Sequence, residues 1–458
     1  MSMRTLLRDR TFLVMVLLLI LQQTLVASST LWLAHLVENI HAGQALWGSL
    51  LLYAASLLLP YLPGAGALIA LEAWHQRSLA RFVDAFARAY SNKIRLWSRS
   101  ALKERASVTL SKDGPQTLQA WTEYVYGLLA SLLNMSLSIL VVAYVIDARL
   151  LVTYGVAFLA ALGLVKVQAR KNRQLSLTLE SRRQALGTSL FRAWDDVVLG
   201  NRWCRALFDA ASKKQLNGFK RAALASVRLG QTVAVGVALV TVLPCLAIVA
   251  LALTRDSATP AAQLAVAATL PRLFQILNST HTVLSALAAW SAQRGRFDVL
   301  CAVVGEGEGP ADLLETRIDT SLISVEPKSP DSAPLDAGAF ATALGRAGRF
   351  TLRGRNGAGK STFLLLLKER LGDRAFHLPA RHDLSFAGAG LHGSSGQKAA
   401  REIEEILGLA DVDVVLLDEW DAHLDDTARR ALSIAIDRLA RKKAVVEVRH
   451  ANDSVWKG

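Results

Sequence analysis

The chain has 458 residues, 52% of them hydrophobic, and a mean hydropathy of +0.30. So apolar a composition excludes a disordered chain, and the length suits two or three domains. The net charge of +14 is unevenly placed: residues 1–300 carry 31 Lys and Arg against 14 Asp and Glu, and residues 301–458 carry 21 against 24. Basicity thus belongs to the apolar part, where it reports orientation in a membrane rather than a nucleic-acid partner. The three cysteines, Cys204, Cys245 and Cys301, are scattered without CxxC spacing, which supports neither a disulfide framework nor a zinc site.

Six apolar runs are long enough to span about 30 Å of hydrocarbon. They are Phe12–Leu36, Leu46–Leu71, Tyr124–Ile146, Leu150–Val167, Leu229–Thr254 and Ala261–Trp290. The first is too long for a signal-peptide core and is read as an uncleaved span. Segments 72–123 and 166–228 hold nine and fourteen Lys and Arg, whereas 37–45, 147–149 and 255–260 hold only Arg149 and Arg255. The positive-inside rule then places the N-terminus, both long loops and the C-terminal domain in the cytoplasm, as in a multi-pass inner (plasma) membrane protein. Apolar positions at helical spacing (Leu79, Phe82, Val83, Phe86, Tyr90) carry helix past the bilayer. The sixth run bears Arg272, Gln275, Asn278 and Thr282 on one helical face, with His281 nearby, and the first bears Gln22, Gln23, Ser28, Ser29 and Thr30. They read either as a polar cavity lining or as helix–helix hydrogen bonding. An arginine without an obvious carboxylate leans away from organic cations.

Composition turns to Gly, Pro, Asp and Ser near 304–338, as in a linker. The alternation of RFTLRG predicts a strand running into GRNGAGKST and then the helical run FLLLLKERL. That context is what a phosphate-binding loop needs. Gly354, Gly357 and Gly359 let backbone N–H groups approach phosphates, Lys360 neutralises their charge, and the Ser361 hydroxyl ligates Mg²⁺. A buried strand, Val412–Leu417, ends in Asp418, which acts on Mg²⁺ through water, and Glu419, which polarises the attacking water as general base. A third strand, Ala444–Val448, leads to His450, placed to sense a γ-phosphate.

On these residues the chain resembles an ATP-binding cassette half-transporter of the exporter type. GRNGAGKST (Gly354, Arg355, Asn356, Gly357, Ala358, Gly359, Lys360, Ser361, Thr362) matches the Walker A motif. GSSGQKAAR (393–401) resembles the signature motif, with Ser394, Gly396 and Gln397 retained and Ser395 in place of its first glycine. LLDE (416–419) is similar to Walker B with the catalytic glutamate, AHLD (422–425) to the D-loop, and VEVRH (446–450) to the switch-histidine strand. The tryptophan of DEW and the SSGQK signature look most like bacterial exporters of cyclic peptides and peptide siderophores.

The resemblance implies an all-α membrane domain of six transmembrane helices over 1–303, a linker over 304–338, and an α/β P-loop ATPase domain over 339–458. That last domain lacks most of the helical subdomain, since only about thirty residues separate Thr362 from Gly393, and Ala380 stands where the family places its Q-loop glutamine. It also implies ATP and Mg²⁺ as cofactors and a catalytic set of Lys360, Glu419 and His450. Pairing would be with a second copy (a homodimer) or a related half-transporter, and the substrate would be small and peptide-like. The turn Ala193–Asn201 is the candidate docking element between membrane helices and cassette. The alternatives are a lipid or multidrug exporter, a membrane-anchored nucleotide-binding regulator that transports nothing, and a DNA-handling ATPase, which six spans disfavour.

Overall fold

The computed structural model describes residues 3–191, 193, 195–254, 260–306, 314–326, 337–344, 347–380, 382–387, 395–422 and 424–449. The chain divides into two compact units: Met1–Asp84 with Thr109–Ala302, and Ala85–Val108 with Val303–Gly458. The N-terminal two thirds is helical, with α1 (Met3–Leu7), α2 (Arg10–His41), α3 (Trp47–Leu58), α4 (Tyr61–Tyr90), α5 (Ser100–Val108), α6 (Gly114–Val145), α7 (Arg149–Phe191), α8 (Arg202–Leu253) and α9 (Pro260–Glu306).

Five helical stretches among the described residues are long and apolar enough to cross a membrane: Arg10–His41, Trp47–Tyr90, Arg105–Val145, Arg149–Gly187 and Arg202–Leu251. Composition alone predicts six. The remaining run falls in α9, which is helical throughout, but Arg272, Gln275 and His281 dilute its apolar character. The exposed faces of the five carry Leu17, Ile69, Leu140, Val152 and Leu251, as a hydrocarbon-facing surface requires. Trp47 at the start of α3 and Tyr144 near the end of α6 are largely exposed, matching the aromatic girdle of a membrane interface.

The start of the first unit is pinned. Asp9 caps α2 by accepting the Thr11 N–H at 2.8 Å, and its buried carboxylate meets Arg81 at 2.5 Å and Arg77 at 3.5 Å. Burial alone would push this carboxyl up; the Thr11 hydrogen bonds and the two guanidiniums hold it below its ordinary value. The buried Trp74 indole donates to the Leu6 carbonyl at 3.1 Å and packs on Phe12. Gly64 of α4 faces the Gln22 amide of α2, where a Cβ would lie 2.6 Å from Nε2 and turn that side chain aside. Further along, Met135, Ile139 and Val142 of α6 pack with Leu150 and Tyr154 of α7, Cys245 and Val249 of α8, and Leu273, Ile276 and Val283 of α9. Tyr124 O–H donates to the Ala286 carbonyl at 2.6 Å, and the Tyr154 and Thr280 hydroxyls lie 2.5 Å apart, so polar bonds also tie α6 and α7 to α9.

The second unit is built on strands β1 (Ile323–Glu326), β2 (Gly348–Gly354), β3 (Ala375–Leu378), β4 (Val414–Asp418) and β5 (Ala444–Val448). The sheet order is β1-β2-β5-β4-β3, with β1 antiparallel to β2 and the other pairs parallel. Helices α10 (Ala337–Ala343), α11 (Lys360–Leu371), α12 (Ser395–Leu407) and α13 (Asp426–Ala440) complete it. Alternate residues of β4 serve two cores: Val414 and Leu416 join Phe363, Leu364 and Leu367 of α11, whereas Val415 and Leu417 join Ile403 and Ile406 of α12 and Leu432 and Ile436 of α13. Burial on both faces makes β4 and β5 apolar runs, as parallel strands between helical layers must be. Between β3 and α12 the described residues form no helix.

On β3, burial pushes the His377 imidazole down to about 4, with the Lys368 charge adding to the effect. The unfolded chain therefore binds a proton that the fold refuses between roughly pH 6.5 and that lowered value. Stability is complete above this window and falls as pH drops through it. Thermal melts of the protein, followed by tryptophan fluorescence across this range, are expected to show that slope. His377→Leu flattens it; an unchanged slope in the variant would assign the loss elsewhere.

Candidate functional site

Gly354 ends β2, and Arg355, Asn356, Gly357, Ala358 and Gly359 form the loop that turns into α11. Gly357 has φ +85° and Gly359 φ +91°, backbone that other L-residues adopt only with strain. A Cβ at Gly359 would also lie 2.6 Å from the Arg317 carbonyl oxygen, so this position excludes a side chain twice over. Lys360, Ser361 and Thr362 are the first turn of α11, whose N-terminal dipole and N–H groups suit an anion. Lys360 Nζ folds back over the loop and donates to the Gly354 carbonyl at 2.9 Å and the Arg355 carbonyl at 3.2 Å.

At the neighbouring strand end, the Ser361 hydroxyl donates to Asp418 Oδ1 at 3.0 Å, bringing together two residues 57 positions apart. Burial raises the Asp418 carboxyl above its ordinary value, Glu419 adds to this, and the Ser361 bond and Lys360 oppose it. Glu419 follows with φ +44°, uncommon for a residue bearing a Cβ. Its N–H donates to the Val448 carbonyl at 2.9 Å and its carbonyl accepts from Ala422 N–H at 3.0 Å. The Glu419 backbone is thereby tied, at the end of β4, to the end of β5 and to the turn that follows. Ser395, Gly396 and Gln397 open α12, with only their backbone described, and Ser394 and His450 lie outside the described residues.

These residues fit a nucleotide with Mg²⁺. A glycine loop before a helix N-terminus with a lysine over it is a phosphate cradle. The Ser361 hydroxyl and one carboxylate form a hard oxygen pair, and Mg²⁺ is commonly held by one or two such groups together with substrate phosphates. No cluster of three metal-binding side chains is found among the described residues.

Sequence reasoning missed two features of this unit. The first is a charge cluster beneath Glu419. Glu447, fully buried on β5, accepts from Arg349 (3.0 and 2.7 Å), Arg449 (2.8 Å), Thr351 Oγ1 (3.0 Å) and the Trp420 indole (2.8 Å). Arg349 also reaches Asp437 at 2.7 Å, and the Arg349 and Arg449 guanidiniums lie 5.9 and 5.8 Å from the Trp420 ring centre. Burial would push the Glu447 carboxyl up, but the two arginines outweigh it and hold it below its ordinary value. A lone glutamate inside the apolar run AVVEV was the available signal.

The second is the segment between α4 and α6. Its 3-10 turn, Ile94–Ser98, places Arg95 on Glu369 of α11 at 2.7 Å and on Glu315 at 2.8 Å, while Ile94 packs on Leu314, Leu365 and Leu366. Lys103 of α5 then borders a cavity of about 420 Å³ shared with Ala380, His382, Lys398, Glu402, Asp418 and Trp420. The segment between α4 and α6 thus packs on the phosphate-loop helix through its turn, residues 94–98. The candidate docking turn belongs to the other unit, where Asp195–Leu199 is a single π-turn and Asn201 caps α8.

The chain has the fold of an ATP-binding cassette exporter. It is similar to the solved structure of a bacterial Atm1-family ABC exporter with ATP bound, with a TM-score of 0.57 and 13% identity, over 97% of this chain and 91% of that one. No family model and no curated protein sequence matches the chain.

Proposed function

We propose that the chain is an ATP-driven exporter half that moves a small, peptide-like molecule out of the cytoplasm, with α9 as its sixth span. The observation that carries this reading is the Ser361–Asp418 contact beside the Lys360-covered glycine loop, in a chain with the exporter fold. Mg²⁺, when bound, would supply charge neutralisation on the phosphates. Lys360 would turn from the loop carbonyls toward the β- and γ-phosphate oxygens, Ser361 and Asp418 would hold the ion, and Glu419 would take the proton of the attacking water. One cassette per chain makes a pair of copies the simplest complete unit, each offering Ser394–Gln397 to the other's nucleotide. Arg95 on Glu369 gives movement of α11 a direct route into the segment that follows α4.

The test is phosphate release by the purified chain in liposomes. Lys360→Ala is expected to lower it at least 100-fold, the scale for removing one pre-organised electrostatic donor. Equal rates in both would leave a membrane-anchored nucleotide-binding regulator as the better reading.

A further inference from the structure

The buried carboxylates Asp9 and Glu447 are each paired with two arginines, and the buried Lys443 ammonium is held by the Leu409 and Val412 carbonyls. Arg272 differs from these in its place within the apolar part of the chain. It lies twelve residues into α9, about 18 Å at 1.5 Å per residue, which is near the middle of a ~30 Å hydrocarbon layer. Its guanidinium is half-buried, and only neutral oxygens hold it. Nη2 donates to Ser138 Oγ at 2.6 Å, Nη1 donates to Gln275 Oε1 at 2.5 Å, and the buried Nε has no acceptor. One turn from Ser138 on the same face of α6, Asn134 donates to Gln23 Oε1 of α2 at 2.8 Å and leaves its own Oδ1 buried and unpartnered. Gln23 with Asn134, and Ser138 with Arg272 and Gln275, therefore form two hydrogen-bonded groups one turn of α6 apart, with a single positive charge and no carboxylate paired to it among the described residues.

An intramembrane cation is costly unless something pairs with it. A guanidinium presents parallel N–H groups that match a carboxylate or phosphate in a two-point contact, which an amide or a hydroxyl cannot reproduce. Gln275, on the same helical face and exposed, marks the side from which a ligand reaches the group. We propose that Arg272 is the recognition site for an oxyanion on the transported molecule. The substrate class is then a small amphipathic acid, bearing a carboxylate or phosphate, with the Ser138 hydroxyl holding the arginine in place. The inference rests on the exporter reading, but its test needs no nucleotide, so failure of the cassette and failure of this site are distinguishable.

The experiment is equilibrium binding to the full chain in phosphatidylcholine nanodiscs without ATP. The probes are tritiated N-acetyl-Leu-Leu-Phe with a free C-terminal carboxylate and the same peptide as its C-terminal amide. The acid is expected to bind wild type at least tenfold tighter than the amide, with the preference lost in Arg272→Gln and partly kept in Arg272→Lys. A second arm distinguishes a lipid source of the same chemistry. If the oxyanion is a headgroup phosphate, wild type retains phosphatidylglycerol in native mass spectrometry and Arg272→Gln sheds it. Parity of acid and amide on wild type, together with equal phosphatidylglycerol retention by both proteins, overturns the proposal. The wild-type comparison of acid with amide stands even if Arg272→Gln does not fold.

Discussion

Glu419→Gln is expected to cut ATP hydrolysis by about 10²–10⁴-fold, the range for removing a positioned general base, while leaving ATP affinity intact. Glutamine keeps the size of the side chain, and the unusual backbone at this position (φ +44°) is fixed by Val448 and Ala422 through main-chain bonds that the substitution does not touch. What is lost is the carboxylate's capacity to accept a proton. Lys360→Ala should behave differently, because Lys360 sits over the loop that would hold the phosphates. Its loss weakens nucleotide binding itself. Measuring the ATP dissociation constant and the turnover number for both variants separates the two roles. A Glu419→Gln protein that hydrolyses ATP at the wild-type rate would move the base elsewhere.

The second large effect is on stability. Glu447→Ala should destabilise the cassette by about 3–5 kcal/mol, the cost of breaking a buried ion pair from one side. Glu447 is fully buried, and its removal strands Arg449 and the Trp420 indole and leaves Arg349 with Asp437 and Ser433. Trp420 follows Glu419 directly, so the loss should also disturb the base and slow hydrolysis. Replacing both partners, Glu447→Leu with Arg349→Met, is expected to recover much of the stability, because an apolar pair of similar volume avoids the unpaired charge. Thermal unfolding monitored by tryptophan fluorescence checks both. A double variant no better than Glu447→Ala would show that the arginines matter for packing rather than charge.

The parts of this protein that were legible in the sequence are those whose physics is local. Spans announce themselves by length and apolar content, and the buried strands β4 and β5 read as apolar runs, broken only by Asp418 at the end of β4 and by Glu447 in β5, because helices cover both faces. The glycine loop is legible because Gly357 and Gly359 adopt backbone that few other residues tolerate. What was not legible depends on distant partners. Glu447 looks like a misplaced charge until Arg349, 98 positions away, is brought alongside it. Arg95 looks like one more basic residue of a solvated loop until Glu369, 274 positions on, receives it. The polar stripe of α9 stood out, but only the fold shows that Arg272 meets Ser138 of α6 instead of a carboxylate.

An exporter of this kind must couple ATP hydrolysis in its nucleotide-binding unit to movement of substrate through its helices. The most direct measurement compares the small molecules secreted and retained by cells making the wild-type chain with those of cells making Glu419→Gln at equal level. At least one small molecule is expected in the medium of the first and trapped inside the second. Identical secreted and retained pools in both would contradict ATP-driven export by this protein.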